Sequence, residues 1–167
     1  MIAELGHFAL IIALGLALMQ SLVPMVGSFK GYTTWMRLGH SLSYGQFIFI
    51  AISFVCLTAA FWLDDFSLKY VSQNSNTELP GQYKISAVWA AHEGSLLLWA
   101  LILAGWTAAV ALFSRALPLV LTARILSVLG AISVGFVLFL ILTSNPFERL
   151  LPITPMQGSD LNPLLQD

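Results

Sequence analysis

Four apolar runs dominate this sequence, and each is long enough to cross a lipid bilayer. They fall at about residues 6–26, 42–63, 95–113 and 121–142, where about 20 helical residues are enough to span a hydrocarbon core. Lipid offers no partner to an open backbone donor or acceptor, so each run is expected to be a helix. The breaks between them are marked by Pro24 and Gly27, by Asp64-Asp65 and by Asn145-Pro146. Only 9% of the residues are charged and 58% are hydrophobic, whereas a soluble domain carries about a quarter charged residues. The expected fold class is therefore all-α: a polytopic integral membrane protein of about four transmembrane helices, forming part of a larger helical bundle. The first run is not read as a cleaved leader, because such leaders open with positive charge and the only charged side chain ahead of it is Glu4.

Charge separates the connecting segments into two kinds. If the helices alternate in direction, residues 27–41 and 114–124 share one side; they hold Lys30, Arg37, Arg115 and Arg124 and no acid. The outer loops 64–94 and 143–167, with the N-terminus, hold all eight acids, together with Lys69, Lys84 and Arg149. Lysine and arginine in short loops favour the cytoplasm. The N-terminus and both longer loops are thus expected outside the cytoplasm, which in a bacterial inner membrane means the periplasm. Those loops, "QNSNTELPGQY" at 73–83 and a four-proline stretch at 145–163, are rich in turn formers. Loops of this kind carry binding work more often than spans do.

Several classes of function are disfavoured. The net charge of −1 gives no basic excess for nucleic acid. The single cysteine, Cys56, excludes an internal disulfide framework and reads as a small buried core residue. No acid or base lies deep in a span, where ion and proton transporters place one. Gln20 and Gln46 are the strongest polar groups within spans and are expected to make helix–helix hydrogen bonds. His7 and His40 lie near span ends and fit interfacial positions.

Positions 89, 92, 96, 99, 103 and 106 are Trp, His, Leu, Trp, Leu and Trp. A third helix that begins near Tyr83 would gather them on one face about 25 Å long. In one reading Trp89 and Trp99 are interfacial anchors and the remainder packs on neighbours or lipid. In the other the stripe is an aromatic wall for a flat apolar ligand or a partner helix, with His92 and Glu93 as polar handles. The ligand- or partner-facing candidates are therefore Trp89, His92, Glu93, Trp99 and Trp106. A histidine beside an acid also reads as a hydrogen-bonded structural pair. No second ligand stands at a matching spacing, so no metal site and no catalytic residue is assigned.

The chain resembles the N-terminal portion of the CcmF/NrfE family of haem lyase subunits of cytochrome c-type biogenesis. The likeness opens on "ELGHFALIIALGLAL" and continues through "DDFSLKYVSQNSNTELPGQYKISAVWAAHEGSLLLW". It then takes in "ARILSVLGAISVGFVLFLILTSNPFERLLP" and "GSDLNPLLQD". Ala90 stands where the family pattern has glycine. The resemblance implies a part in attaching haem covalently to an apocytochrome c at the periplasmic face. It further implies haem as cofactor of the complete protein, delivered by a haem chaperone, and a thiol-handling subunit that presents the apocytochrome. Such proteins continue past the point matching Gln166-Asp167 into a His-Pro-Pro segment, a tryptophan-rich segment and further spans. The haem ligands are accordingly not expected within this chain, which alone is expected to be inactive. A scaffold that docks haem-lyase partners, or an accessory subunit of another membrane complex, stays open beside this reading.

Overall fold

The computed structural model describes residues 1–150 and Gly158. Four long helices form a bundle: α1 (Ile2–Lys30), α2 (Thr33–Trp62), α5 (His92–Phe113) and α6 (Leu119–Leu142), each long and apolar enough to cross a membrane. Two short helices, α3 (Lys69–Asn74) and α4 (Gly81–Ala87), lie between α2 and α5. One end of the bundle carries only the tight α1–α2 and α5–α6 turns. The other is covered by residues 63–91 and 143–150, here termed the cap.

The helices exceed the apolar runs in length, for local reasons. α1 passes Pro24 and ends at Gly31, whose φ of 75° closes the helix by giving its N–H to the Gly27 carbonyl. Gly39 of α2 lets the two helices approach at Pro24, since a Cβ there would stand 3.2 Å from Pro24 Cγ. The turn is so short that α2 starts at Thr33, nine residues before its apolar core. A Cβ at Gly27 would sit 2.8 Å from Trp35 Cβ and 3.1 Å from the Met36 nitrogen, so glycine is what allows the turn to be this tight. At 30 residues, α2 is about 45 Å long and projects beyond a hydrocarbon core of ~30 Å.

Along α1 the inward face is built mostly from small residues: Ala3, Gly6, Ala9, Ala13 and Ala17 are buried beside Leu10, while Leu5, Phe8, Ile11, Leu18 and Leu22 point outward. Small residues bring backbones close where burial of large apolar groups gains nothing against lipid. Gly130 of α6 shows the same device, since a Cβ there would lie 2.9 Å from the Ser21 nitrogen. Beside it Gln20 Nε2 donates to the Leu126 carbonyl at 2.9 Å, the interhelical bond its sequence position suggested. Gln46 differs. It is wholly buried, yet neither amide atom has a partner among the described residues. Cys56 is buried and free, as its apolar setting implied.

Candidate functional site: the cap and the start of helix α5

The cap closes around Tyr70. Its ring meets Phe61 of α2 edge-on at 5.3 Å. Its hydroxyl donates to the Val88 carbonyl at 3.0 Å and lies 3.4 Å from the Ala91 carbonyl oxygen. Burial pushes the Tyr70 phenol up to about 12, so it stays a donor at neutral pH. These contacts fix residues 88–91 as a turn. Ala91 is extended and α5 begins only at His92.

The expected continuous helix from Tyr83 is thereby corrected. α4 ends at Ala87, and Trp89 lies on the turn, outside the α5 register. Gly94 explains the break: it is pressed so closely on Val88 and Tyr70 that a Cβ would overlap the Val88 carbonyl oxygen. The stripe survives as five residues, His92, Leu96, Trp99, Leu103 and Trp106, which span about 21 Å of α5. Its two tryptophans face away from the bundle, Trp99 63% and Trp106 68% exposed, while His92 and Leu96 lie beside α6. The packed face is instead Gly94, Leu97, Ala100, Ala104, Thr107 and Ala111.

His92 and Glu93 do not form the structural pair that their adjacency suggested. His92 Nδ1 is hydrogen-bonded to Ser144 Oγ at 2.6 Å, and Phe139 of α6 meets its ring edge-on at 6.3 Å. The imidazole thus ties the start of α5 to the end of α6, and Nε2 makes no hydrogen bond among the described residues. Glu93 pairs with no cation among them. It occupies the first turn of α5, where the unpaired N–H groups of a helix start favour negative charge. Below His92, Leu96, Ile132, Gly135, Phe136 and Phe139 line an apolar groove of about 360 Å³ between α5 and α6.

Residues 147–150 form the remainder of the cap. Leu68 and Arg149 make an antiparallel bridge, with Lys69 N–H donating to the Glu148 carbonyl and Leu150 N–H to that of Ser67, each at 2.9 Å. The Arg149 guanidinium joins Ser67 Oγ and the carboxylate of Glu4, which holds this segment to the first turn of α1. His7 lies against Phe147 at 6.5 Å and, with Glu4, Phe8 and Arg149, borders a groove of about 460 Å³. Among the described residues no cluster of His, Cys, Asp or Glu is placed to hold a metal ion. His40 lies near the start of α2, towards the turn end, whereas His7 and His92 lie near the cap end. The sequence reading overlooked Ser144, Tyr70 and Phe139, since each acts through a partner distant in the chain. Gly94, inside a quoted motif, was the only visible trace of them.

A family model described as "Cytochrome C assembly protein" matches residues 89–167, from the cap turn onward. The chain is 65% identical along its whole length to cytochrome c-type biogenesis protein CcmF of Pseudomonas aeruginosa, of which it covers 25%. Escherichia coli CcmF is 48% identical over the whole chain, which covers 26% of that protein. Along its whole length the chain thus resembles the N-terminal portion of CcmF proteins. The NrfE protein of Haemophilus influenzae is 42% identical, again along the entire chain and over 26% of the relative. A solved structure named "Cytochrome c Heme Lyase CcmF" superposes with a TM-score of 0.84 at 29% identity, covering 89% of this chain and 25% of that one. The chain thus spans about a quarter of the length of these CcmF relatives. With four spanning helices, it is a multi-pass membrane protein.

Proposed function

We propose that this chain is the N-terminal portion of a membrane haem lyase, which attaches haem covalently to apocytochrome c. In this reading it supplies a rigid platform and one rim of the chamber where the reaction occurs. The observation that carries it is His92: a histidine at the start of α5, held to Ser144 of the α6 end, above a helix face with two exposed tryptophans. Two helices are thereby locked at the level where a loop, a propionate or a partner would arrive.

In this reading the haem iron is held elsewhere in the complete protein, and the described residues contribute positioning rather than ligation. Addition of cysteine thiols to haem vinyl groups depends on alignment more than on proton transfer, and fixed geometry is what a pinned rim contributes. In this reading His92 Nε2, Glu93 and Trp89 orient what arrives, while Trp99 and Trp106 face a partner helix or flat apolar surface. A haem chaperone and a thiol-handling subunit are the partners this requires, and the cap lies in the periplasm of a bacterial inner membrane.

The test uses the full-length protein. His92→Ala with Glu93→Ala is expected to lower holocytochrome c yield at unchanged protein level; unchanged yield would eliminate a working role for both. A visible spectrum separates a scaffold role from direct haem binding. Purified in detergent, the 167-residue chain is expected to show no Soret band. Topology is checked with single cysteines, because native Cys56 is buried. At the exposed positions Gln82 and Thr34, a membrane-impermeant maleimide is expected to label Gln82→Cys in intact spheroplasts and to spare Thr34→Cys. The reverse pattern would overturn the orientation.

A further inference from the structure

The two ends of the bundle treat their cations differently. At the cap each cation has a carboxylate partner: Lys69 with Glu148, Lys84 with Asp64, and Arg149 with Glu4. At the turn end none of Lys30, Arg37, Arg115 and Arg124 forms an ion pair among the described residues, and residues 27–41 and 114–124 contain no acid at all. The surrounding surface is aromatic and outward-facing, with Phe29 74%, Tyr32 51% and Trp35 41% exposed. Arg124 is held in place there, its guanidinium 5.2 Å over the Phe29 ring and its Nε donating to Ser28 Oγ at 3.2 Å. Beside it the chain reverses at Gly31, and residues 31–35 border an open groove of about 550 Å³ with hydroxyls from Thr33 and Thr34 on its wall.

We propose that this end binds the headgroup of an anionic phospholipid, with the Gly31–Trp35 groove as its seat and Lys30, Arg37 and Arg124 as its counter-charge. The chemistry is that of a phosphodiester. The unpaired cations at this end supply the attraction, threonine hydroxyls offer donors, and Tyr32 and Trp35 match the amphipathic depth where headgroup meets acyl chain. A lipid is the occupant because the groove opens at the end of membrane-length helices, beside large apolar side chains that a soluble anion would leave exposed to water. The proposal needs only that these turns lie at a membrane–water boundary, and it stands apart from whatever the cap holds.

The experiment is a melting titration of the protein that carries this region, purified in an uncharged detergent. Short-chain phosphatidylglycerol, phosphatidylcholine of equal chain length, and inorganic phosphate are added separately. Phosphatidylglycerol is expected to raise the melting temperature saturably, while phosphatidylcholine and phosphate leave it unchanged. In the variant Lys30→Gln/Arg37→Gln, which removes no hydrogen bond seen among the described residues, the titration midpoint is expected to rise about tenfold or more. Adding Arg124→Gln weakens it further. Should that variant fold poorly, the double variant decides alone. Equal stabilisation by phosphatidylcholine or by free phosphate would overturn the proposal. So would an unchanged midpoint in the double variant, as would the absence of any phosphatidylglycerol effect, the result expected if carboxylates elsewhere in the protein neutralise these cations.

Discussion

Gly94 is the residue on which the cap turns, because nothing larger fits between it and Val88. Gly94→Ala must displace a main-chain carbonyl rather than a flexible side chain, and overpacking of this kind costs about 3 kcal/mol or more. The expected outcome is a lower melting temperature and new protease cleavage between residues 63 and 91, with the four spans still inserted. Tyr70→Phe is a milder probe of the same contact. It leaves buried carbonyls without their donor, at a cost of about 1–3 kcal/mol. Its pH signature is distinct. The folded phenol is raised from 10.0 to about 12, so the folded state retains a proton that the unfolded chain begins to lose near pH 10. The associated stability is complete below pH 10 and falls as pH climbs towards about 12. Melting curves across that window should decline more steeply for the native protein than for Tyr70→Phe; parallel declines would show that Tyr70 is not the group responsible.

Among the elements, the two buried glutamines make opposite predictions. Gln20 donates across the α1–α6 contact, so Gln20→Leu is expected to lose about 0.6–2 kcal/mol. Gln46 is equally buried and unpartnered among the described residues, so Gln46→Leu removes a desolvated amide and is expected to be neutral or stabilising. Chemical unfolding in mixed micelles reads both changes, and a larger loss at Gln46 would mean that its amide has a partner after all. The same elements show what the sequence could and could not display. The spans were readable because a run of apolar residues has one solution in lipid. Their ends were not, since α1 continues through Pro24 to Lys30, and α2 starts early because the turn at Gly31 is short. The break at residues 88–91 left no mark within the turn itself, since "VWAA" contains neither glycine nor proline. It depends on Gly94, three residues beyond it, and on Tyr70, 18 residues before Val88. His92 was singled out on its surroundings, but its partner Ser144 lies 52 residues away, and periodicity carries no signal at that range.

At the scale of the whole molecule, the question is what the outward face of α5 meets. Trp99 and Trp106 are more than half exposed, while the chain spans about a quarter of its CcmF relatives. Lipid and protein neighbours call for different side chains there. A lipid-facing residue needs only to be apolar, so leucine replaces tryptophan at little cost; a residue packed on another helix is shaped to that helix, and its loss leaves a cavity. Trp99→Leu/Trp106→Leu in the 167-residue chain is therefore expected to change stability by less than about 1 kcal/mol, because neither ring supports the bundle seen here. In the full-length protein the same pair is expected to lower holocytochrome c yield and the melting temperature together, as the cavity opens against a neighbouring helix. If both proteins tolerate the exchange equally, the tryptophans are lipid anchors and the rim formed by this chain ends at His92.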